Sequence, residues 1–146
     1  MEIRKILPSD SAELGAVYAK VFSAPPWNGK WTADTATTSL ACIMQAPGFY
    51  GNVVLAEGKI IGAVLGRIRV FGQSRSYNMD EFFVTEHWRR QGVATALYRY
   101  SIDELKSNEV SGIFFTTLRN SPAYEFYRKV GAWDLTDSAC FYHLIK

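Results

Sequence analysis

The run Arg89-Arg90-Gln91-Gly92-Val93-Ala94-Thr95 sets two guanidinium groups, a glycine and several small residues between two patterned segments. Before it lies a strand-like run, Glu81-Phe82-Phe83-Val84, and after it a helix-like run from Thr95 to Leu105. A strand that turns through a glycine into a helix leaves several backbone N–H groups pointing outward, and the helix macrodipole adds partial positive charge there. Gly92 lets backbone approach a ligand closely, and Ala94 keeps the mouth of the loop open. Cations are disfavoured beside a helix N-terminus unless an anion joins them, so Arg89 and Arg90 suit a phosphate or pyrophosphate better than a solvated helix start. The competing phosphate patterns, Gly-x4-Gly-Lys-(Ser/Thr) and Gly-x-Gly-x2-Gly, do not occur.

Other chemistries find less support. Cys140-Phe141-Tyr142-His143 superficially resembles a metal pair, but a three-residue spacing in a strand sends the two side chains to opposite faces. His87 and Cys42 have no matching partners, so no metal site is expected. No Gly-x-Ser-x-Gly nucleophile elbow is present.

The elements that must position the loop follow from periodicity. Glu2 to Leu7 reads as a strand ended by Pro8. Asp10 and Glu13 have the spacing of a reciprocal helix cap, ahead of Leu14, Val17, Tyr18 and Val21 at helical spacing. Ala24-Pro25-Pro26-Trp27-Asn28-Gly29 breaks that helix, and a second runs from about Ala33 to Gln45. Tyr50 to Glu57 and Ile60 to Val70 read as strands joined by a hairpin turn at Glu57-Gly58-Lys59, with a further strand over Ser76 to Val84. The helix after Gly92 runs to about Lys106, with Ala94, Leu97, Tyr98, Ile102 and Leu105 on its inner face. Ser111 to Leu118 is another strand, Ser121 to Val130 a helix stopped by Gly131, and Ala139 to Ile145 a final strand; Trp133 to Thr136 is a weak extra candidate. The order β-α-α-β-β-β-α-β-α-β predicts a single α/β domain over residues 1–146, with a mixed sheet covered on both faces.

Composition bounds the partners. Of 146 residues, 48% are apolar and 21% charged, as in an ordinary globular protein. A net charge of +2, from 16 basic and 14 acidic residues, makes no general case for nucleic acid or an anionic membrane. Arg67, Arg69 and Arg75 are too few for an RNA site and read as one solvated sheet face. Cys42 and Cys140 are too few for a disulfide scaffold and are expected to be reduced and buried. With no apolar signal core and no run of 18 apolar residues, the expectation is a soluble, cytoplasmic protein.

In element order nearly the whole chain resembles the GNAT superfamily of acyl-CoA-dependent N-acyltransferases. The resemblance rests on the signature (Arg or Gln)-x-x-Gly-x-(Gly or Ala), met by Arg89, Gly92 and Ala94. A second family-like segment is Asn120-Ser121-Pro122-Ala123-Tyr124-Glu125-Phe126-Tyr127-Arg128-Lys129-Val130-Gly131-Ala132, where an Asn after the fifth strand precedes a tyrosine-bearing helix. The chain departs from the pattern in three places. Ala94 replaces the commoner second glycine, and Ala132 stands where many relatives have Phe or Tyr. Phe115 occupies the fifth-strand position at which some relatives carry a glutamate base, so that base does not transfer.

The resemblance implies a GNAT-type, largely antiparallel mixed sheet with helices on both faces, and acetyl-CoA as acetyl donor to a primary amine in a ternary complex. Backbone groups of Phe82, Phe83 and Val84 would pair with the pantetheine arm as though it were another strand, their side chains packing the core. The N–H groups from Arg90 through Gln91, Gly92, Val93 and Ala94 to Thr95 would hold the pyrophosphate, with charge from Arg89 or Arg90. Attack of an amine on a thioester needs a base for the ammonium, a polariser for the carbonyl and an acid for the leaving thiolate. Tyr127, seven residues after Asn120, is the candidate acid, and the Val84 N–H the candidate polariser. Asp80 and Glu81 are the candidate bases; strand alternation lets at most one point at the thioester, and the neutral amine fraction could make a base unnecessary. Asn120 either bonds the cofactor arm or caps the helix. Trp27, Trp31 and Tyr50, with Phe22, Pro25, Pro26 and Phe49 nearby, either receive a large or cationic amine or pack a long connection onto the core. The acceptor is a small-molecule or peptide amine, and the aromatic last strand, Phe141-Tyr142, could support a homodimer. The alternative is a catalytically silent GNAT-like domain that senses acyl-CoA; Tyr127 and the paired acids argue against it.

Overall fold

The computed structural model describes residues Met1–Lys146, which form two compact units, Met1–Phe115 and Thr116–Lys146. In the first unit the elements run β1 (Glu2–Lys5), α1 (Ser11–Ser23), α2 (Ala33–Met44), β2 (Phe49–Ala56), β3 (Lys59–Phe71), β4 (Ser74–Val84), α3 (Val93–Ser107) and β5 (Gly112–Phe114). They build one five-stranded sheet in the order β1-β2-β3-β4-β5, antiparallel except for the parallel pair β4–β5. This is the mixed, largely antiparallel sheet expected from the sequence.

Alternation along β2 shows how both faces are covered. Val53 and Leu55 join Leu14, Tyr18, Ala36 and Leu40 in the core under α1 and α2. Asn52, one residue out of phase, reaches Ser101 of α3 at 3.0 Å on the opposite face. The β2–β3 hairpin closes at Glu57-Gly58, both left-handed (φ 53° and 77°), which matches the twist of the flanking strands.

Three local expectations fail for identifiable reasons. Asp10 does not cap α1. Its carboxylate instead accepts from the Leu7 N–H at 2.7 Å and from Arg4, closing a preceding 3-10 turn, Pro8–Asp10. Glu13, its expected partner, accepts from the Ile60 N–H at 2.7 Å and so ties α1 to β3. Ser101, not Ile102, lies on the buried face of α3 with Val93, Leu97, Tyr98 and Leu105.

The second unit contains α4 (Pro122–Lys129). Ser121 caps it by accepting from the Tyr124 N–H at 3.1 Å, and Pro122 stands at the first helical position. Asp134 accepts from Arg119 at 2.7 Å and from Tyr124 at 2.9 Å, fixing the turn after Gly131. The strand expected over Ala139–Ile145 does not form, nor does one over 133–136, and the strand expected over Ser111–Leu118 is cut to Gly112–Phe114. Both cysteines are free and exposed rather than buried.

Candidate active site

The geometry of the site begins with a one-residue irregularity in β4. Leu65 of β3 pairs with Glu81, but its neighbour Gly66 pairs with Met79, so Asp80 is an extra residue bulged out of the ladder. Gly66 permits this: a Cβ there would strike the Asn78 carbonyl and the Tyr77 ring. A single inserted residue reverses the phase of every side chain beyond it. Before the bulge Tyr77 points to the α3 side, donating to the Tyr50 carbonyl at 2.8 Å. After it, Glu81 and Phe83 point to the α1–α2 side, where Phe83 joins the core and Glu81 meets Tyr18. Phe82 faces the other way, its ring 5.8 Å from that of Tyr98 on α3.

The bulge separates the two candidate bases. Asp80 is exposed, whereas Glu81 is half-buried and accepts a hydrogen bond from the Tyr18 hydroxyl at 2.9 Å. Burial pushes the Glu81 carboxyl up to about 7; the charge of Asp80 adds to the rise, and the Tyr18 hydrogen bond opposes it. Burial and the adjacent carboxylate hold the Tyr18 phenol well above its ordinary value, so it stays a donor.

Around this pair stands an aromatic cup. The Tyr18 ring lies 4.5 Å from Phe22, 5.2 Å from Trp31 and 5.6 Å from Phe83. Phe22 continues to Trp27 at 4.9 Å, and Trp27 underlies the Arg89 guanidinium at 5.6 Å. Trp27, 43% exposed, is the rim of the cup. Tyr50 does not belong to it. It is buried on the α3 side, where its hydroxyl donates to Glu104 at 2.6 Å, so alternation along β2 separates it from Trp27 and Trp31.

The loop after β4 has the anticipated form. A 3-10 turn, Glu86–Trp88, leads to Arg90 and Gly92, both left-handed (φ 61° and 80°), and α3 starts at Val93 with no side chain capping it. A Cβ on Gly92 would meet nothing within 4 Å, so the approach to these N–H groups is open. Arg89 folds back, its Nε donating to the Val84 carbonyl at 3.1 Å, while Arg90 and Gln91 are exposed. Strand pairing between β4 and β5 ends at Asn78, six residues short of the end of β4 at Val84.

In the second unit, Tyr127 is buried on α4, its ring 5.3 Å from that of Phe126. Asn120 is exposed and left-handed (φ 62°) and does not cap α4, because Ser121 does. The sequence reading missed Tyr18 as a site residue. It sits among Leu14, Val17 and Val21 at helical spacing, and its one distinguishing mark is a hydroxyl that must find a partner when buried.

No group of three His, Cys, Asp or Glu side chains is placed to hold a metal ion, and no helix is long and apolar enough to cross a membrane. A family model described as the acetyltransferase (GNAT) family matches residues 16–132. No curated protein matches the chain. Solved structures similar to it include a possible acetyltransferase from Clostridium difficile, with a TM-score of 0.82 and 13% identity, over 99% of this chain and 98% of that one. A ribosomal-protein-alanine N-acetyltransferase from Brucella melitensis biovar Abortus gives 0.78 and 16%, over 98% and 100%. An aminoglycoside 6'-N-acetyltransferase from Acinetobacter haemolyticus gives 0.75 and 16%, over 100% of both chains. At these identities the likeness is one of fold.

Proposed function

The chain belongs to the GNAT acetyltransferase family, and from that premise we propose that residues 1–146 act as one N-acetyltransferase domain, moving an acetyl group from acetyl-CoA to a primary amine by direct attack in a ternary complex. The observation that carries this reading is Glu81: a half-buried carboxyl held by Tyr18, pushed up to about 7, on the part of β4 beyond its pairing with β5.

The chain's own groups fit the donor. The uncapped start of α3 and the open approach over Gly92 suit a pyrophosphate on the N–H groups from Arg90 to Thr95. Arg90 supplies charge from the exposed side, and Arg89 braces the loop against Val84. The backbone of Phe82, Phe83 and Val84 would take the pantetheine arm, with Asn120 adding a hydrogen bond to it. Bound acetyl-CoA supplies an activated acyl group.

Glu81 removes the proton from the incoming ammonium, being ionised over the pH range where it also retains enough basicity to accept one. The Val84 N–H polarises the thioester carbonyl, and the Tyr127 hydroxyl protonates the departing thiolate. Asp80, exposed on its bulge, acts through its charge, which adds to the rise of the Glu81 carboxyl. Trp27 and Trp31 line the acceptor side, and a cup of aromatic faces suits an amine carried on an apolar or cationic body. Two free cysteines accord with a reducing, cytoplasmic setting.

The test is thiol release from acetyl-CoA across a panel of amines, including aminoglycosides, polyamines and peptide N-termini. Turnover should appear with at least one amine and drop in Tyr127→Phe; undiminished turnover in that variant removes Tyr127 as the acid. Gly92→Glu should fold and yet lose the thermal stabilisation that CoA confers, because the added carboxylate meets the pyrophosphate. CoA-dependent stabilisation without turnover of any amine would replace the enzyme reading with the sensor.

A further inference from the structure

We propose that the acceptor is a primary amine bearing an oxyanion, a carboxylate or a phosphate, which Arg67 and Arg69 hold while the amine lies at Glu81. The inference rests on the acetyltransferase reading and narrows it to a class of substrate.

Strand register carries it. Leu65 of β3 packs in the core under α1 and α2 and pairs with Glu81. Two and four residues along β3, Arg67 and Arg69 fall on the same face as Leu65, and their partners across the ladder are Asn78 and Ser76. An unbroken β4 would turn Glu81, three residues after Asn78, to the opposite face. The bulge at Asp80 reverses that phase and so brings the carboxyl and the two arginines onto one face of the sheet. All of these residues belong to the first unit. The three arginines expected to share a solvated face do not share one. Arg75 pairs with Val70, out of phase with Arg69, and its Nη1 donates to the Asn108 carbonyl at the end of α3 at 2.6 Å. The ion pairs of the chain use Arg4 and Arg119, which leaves Arg67 and Arg69 without a carboxylate.

Spacing and charge then select the ligand. A strand rises about 3.3 Å per residue, which places Arg67 and Arg69 roughly 7 and 13 Å along the sheet from Glu81. An extended peptide has nearly the same rise, so the amine and carboxylate of a short peptide of about two to four residues span ~7–14 Å. A guanidinium presents a planar fork that matches a carboxylate or phosphate, and Asn78 and Ser76 add neutral donors beside it. A polycation fits worse. β3 and β4 carry no acids besides Asp80 and Glu81, and Glu13 of α1 is taken by the Ile60 N–H at 2.7 Å. The aromatic cup alone would admit a cationic body; the arginines on the same face favour an anionic one.

Thiol release from acetyl-CoA should be compared within matched pairs: triglycine against triglycine amide, and a hexosamine phosphate against the bare hexosamine, with spermidine as the polycation. In at least one pair the anionic member should show a KM lower by about tenfold, the contribution of one charge-assisted hydrogen bond, and the advantage should shrink in high salt. The peptide pair reads a carboxylate and the sugar pair a phosphate. Arg67→Gln and Arg69→Gln should each reduce the ratio by raising KM for the anionic member, whereas Arg75→Gln, on the opposite face, should preserve it. A general loss of structure would weaken both members of a pair and leave their ratio in place. Turnover of neutral amines or spermidine with no gain from an anion in either pair overturns the proposal and leaves the acetyltransferase reading standing. So does a gain that survives both Arg67→Gln and Arg69→Gln. Silence toward every amine removes the acetyltransferase reading, and this proposal with it.

Discussion

Two tyrosine–glutamate hydrogen bonds lie on opposite faces of the same sheet. On the α1–α2 face Tyr18 donates to Glu81 at 2.9 Å; on the α3 face Tyr50 donates to Glu104 at 2.6 Å. Their surroundings differ. Tyr50 and Glu104 belong to a polar network in which Asn52 donates to the Tyr50 hydroxyl, Ser101 and Glu104 at 2.8, 3.0 and 3.2 Å. Glu81 has a single tyrosine partner inside a cup of rings, next to a strand end that has outrun its neighbour. A carboxylate embedded in several hydrogen bonds is committed to structure, whereas one desolvated with a single donor keeps proton affinity to use. The proposed function draws its chemistry from the first pair and leaves the second to stability.

The largest effect that would break this division is in turnover. Glu81→Gln should lower kcat/KM by about 10²–10⁴-fold, the usual contribution of a general base, while CoA still stabilises the protein. If Glu81→Gln turns over at the wild-type rate, the amine reaches the thioester already neutral and Glu81 is not a base.

The same substitution should act on stability in the opposite direction. A carboxyl whose folded value is about 7 instead of the ordinary 4.5 binds its proton more tightly when folded. Its contribution is therefore greatest below pH 4.5 and is lost as pH rises through 7. Glu81→Gln removes that loss, so the variant should be more stable than wild type at pH 8 by roughly 1–3 kcal/mol, with the gap closing toward pH 5. Melting temperatures at the two pH values check it; an inactive variant that is less stable at pH 8 would make Glu81 a structural residue after all.

On the other face the expectation inverts. Glu104→Ala strips Tyr50 and Asn52 of a shared acceptor and should cost about 1–3 kcal/mol, with kcat/KM and the pH profile unchanged. Denaturant melts and kinetics on one preparation separate the two outcomes, and a fall in turnover without a fall in stability would bring the α3 face into the mechanism.

The β2–β4 strands and the loop between β4 and α3 could be read from the sequence because each obeys a local rule: the Val, Ile and Leu content of Ile60–Val70, a glycine between strand and helix at Gly92, two turn residues at Glu57-Gly58. The parts that escaped depend on distant pairings. Which of Asp80 and Glu81 turns toward Tyr18 is set by a bulge opposite Gly66, and nothing in the strand's own pattern marks where a partner strand slips by one residue. The family resemblance places Tyr50 with Trp27 and Trp31 on the acceptor side, although one step along β2 changes the face. Tyr18 looked like core because its ring is core; its hydroxyl acquires meaning from a residue 63 positions away.

The finest test of the comparison asks what Tyr18 does for Glu81. Its hydroxyl donates to the carboxylate and so favours the charged form, opposing the rise that burial causes. Tyr18→Phe keeps the ring that packs against Phe22, Trp31 and Phe83 and removes the donor alone. The acidic limb of kcat/KM, expected near 7 in the wild type, should then move to higher pH by about one unit, the worth of a hydrogen bond to a charged group. Turnover at pH 6.5 should fall several-fold, while at pH 9, where Glu81 is ionised in both proteins, the two should converge. A uniform loss at every pH would mean that Tyr18 only shapes the acceptor cup. An unmoved limb with full activity would mean that the limb belongs to another group, and the contrast between the two tyrosine–glutamate pairs would lose its functional half.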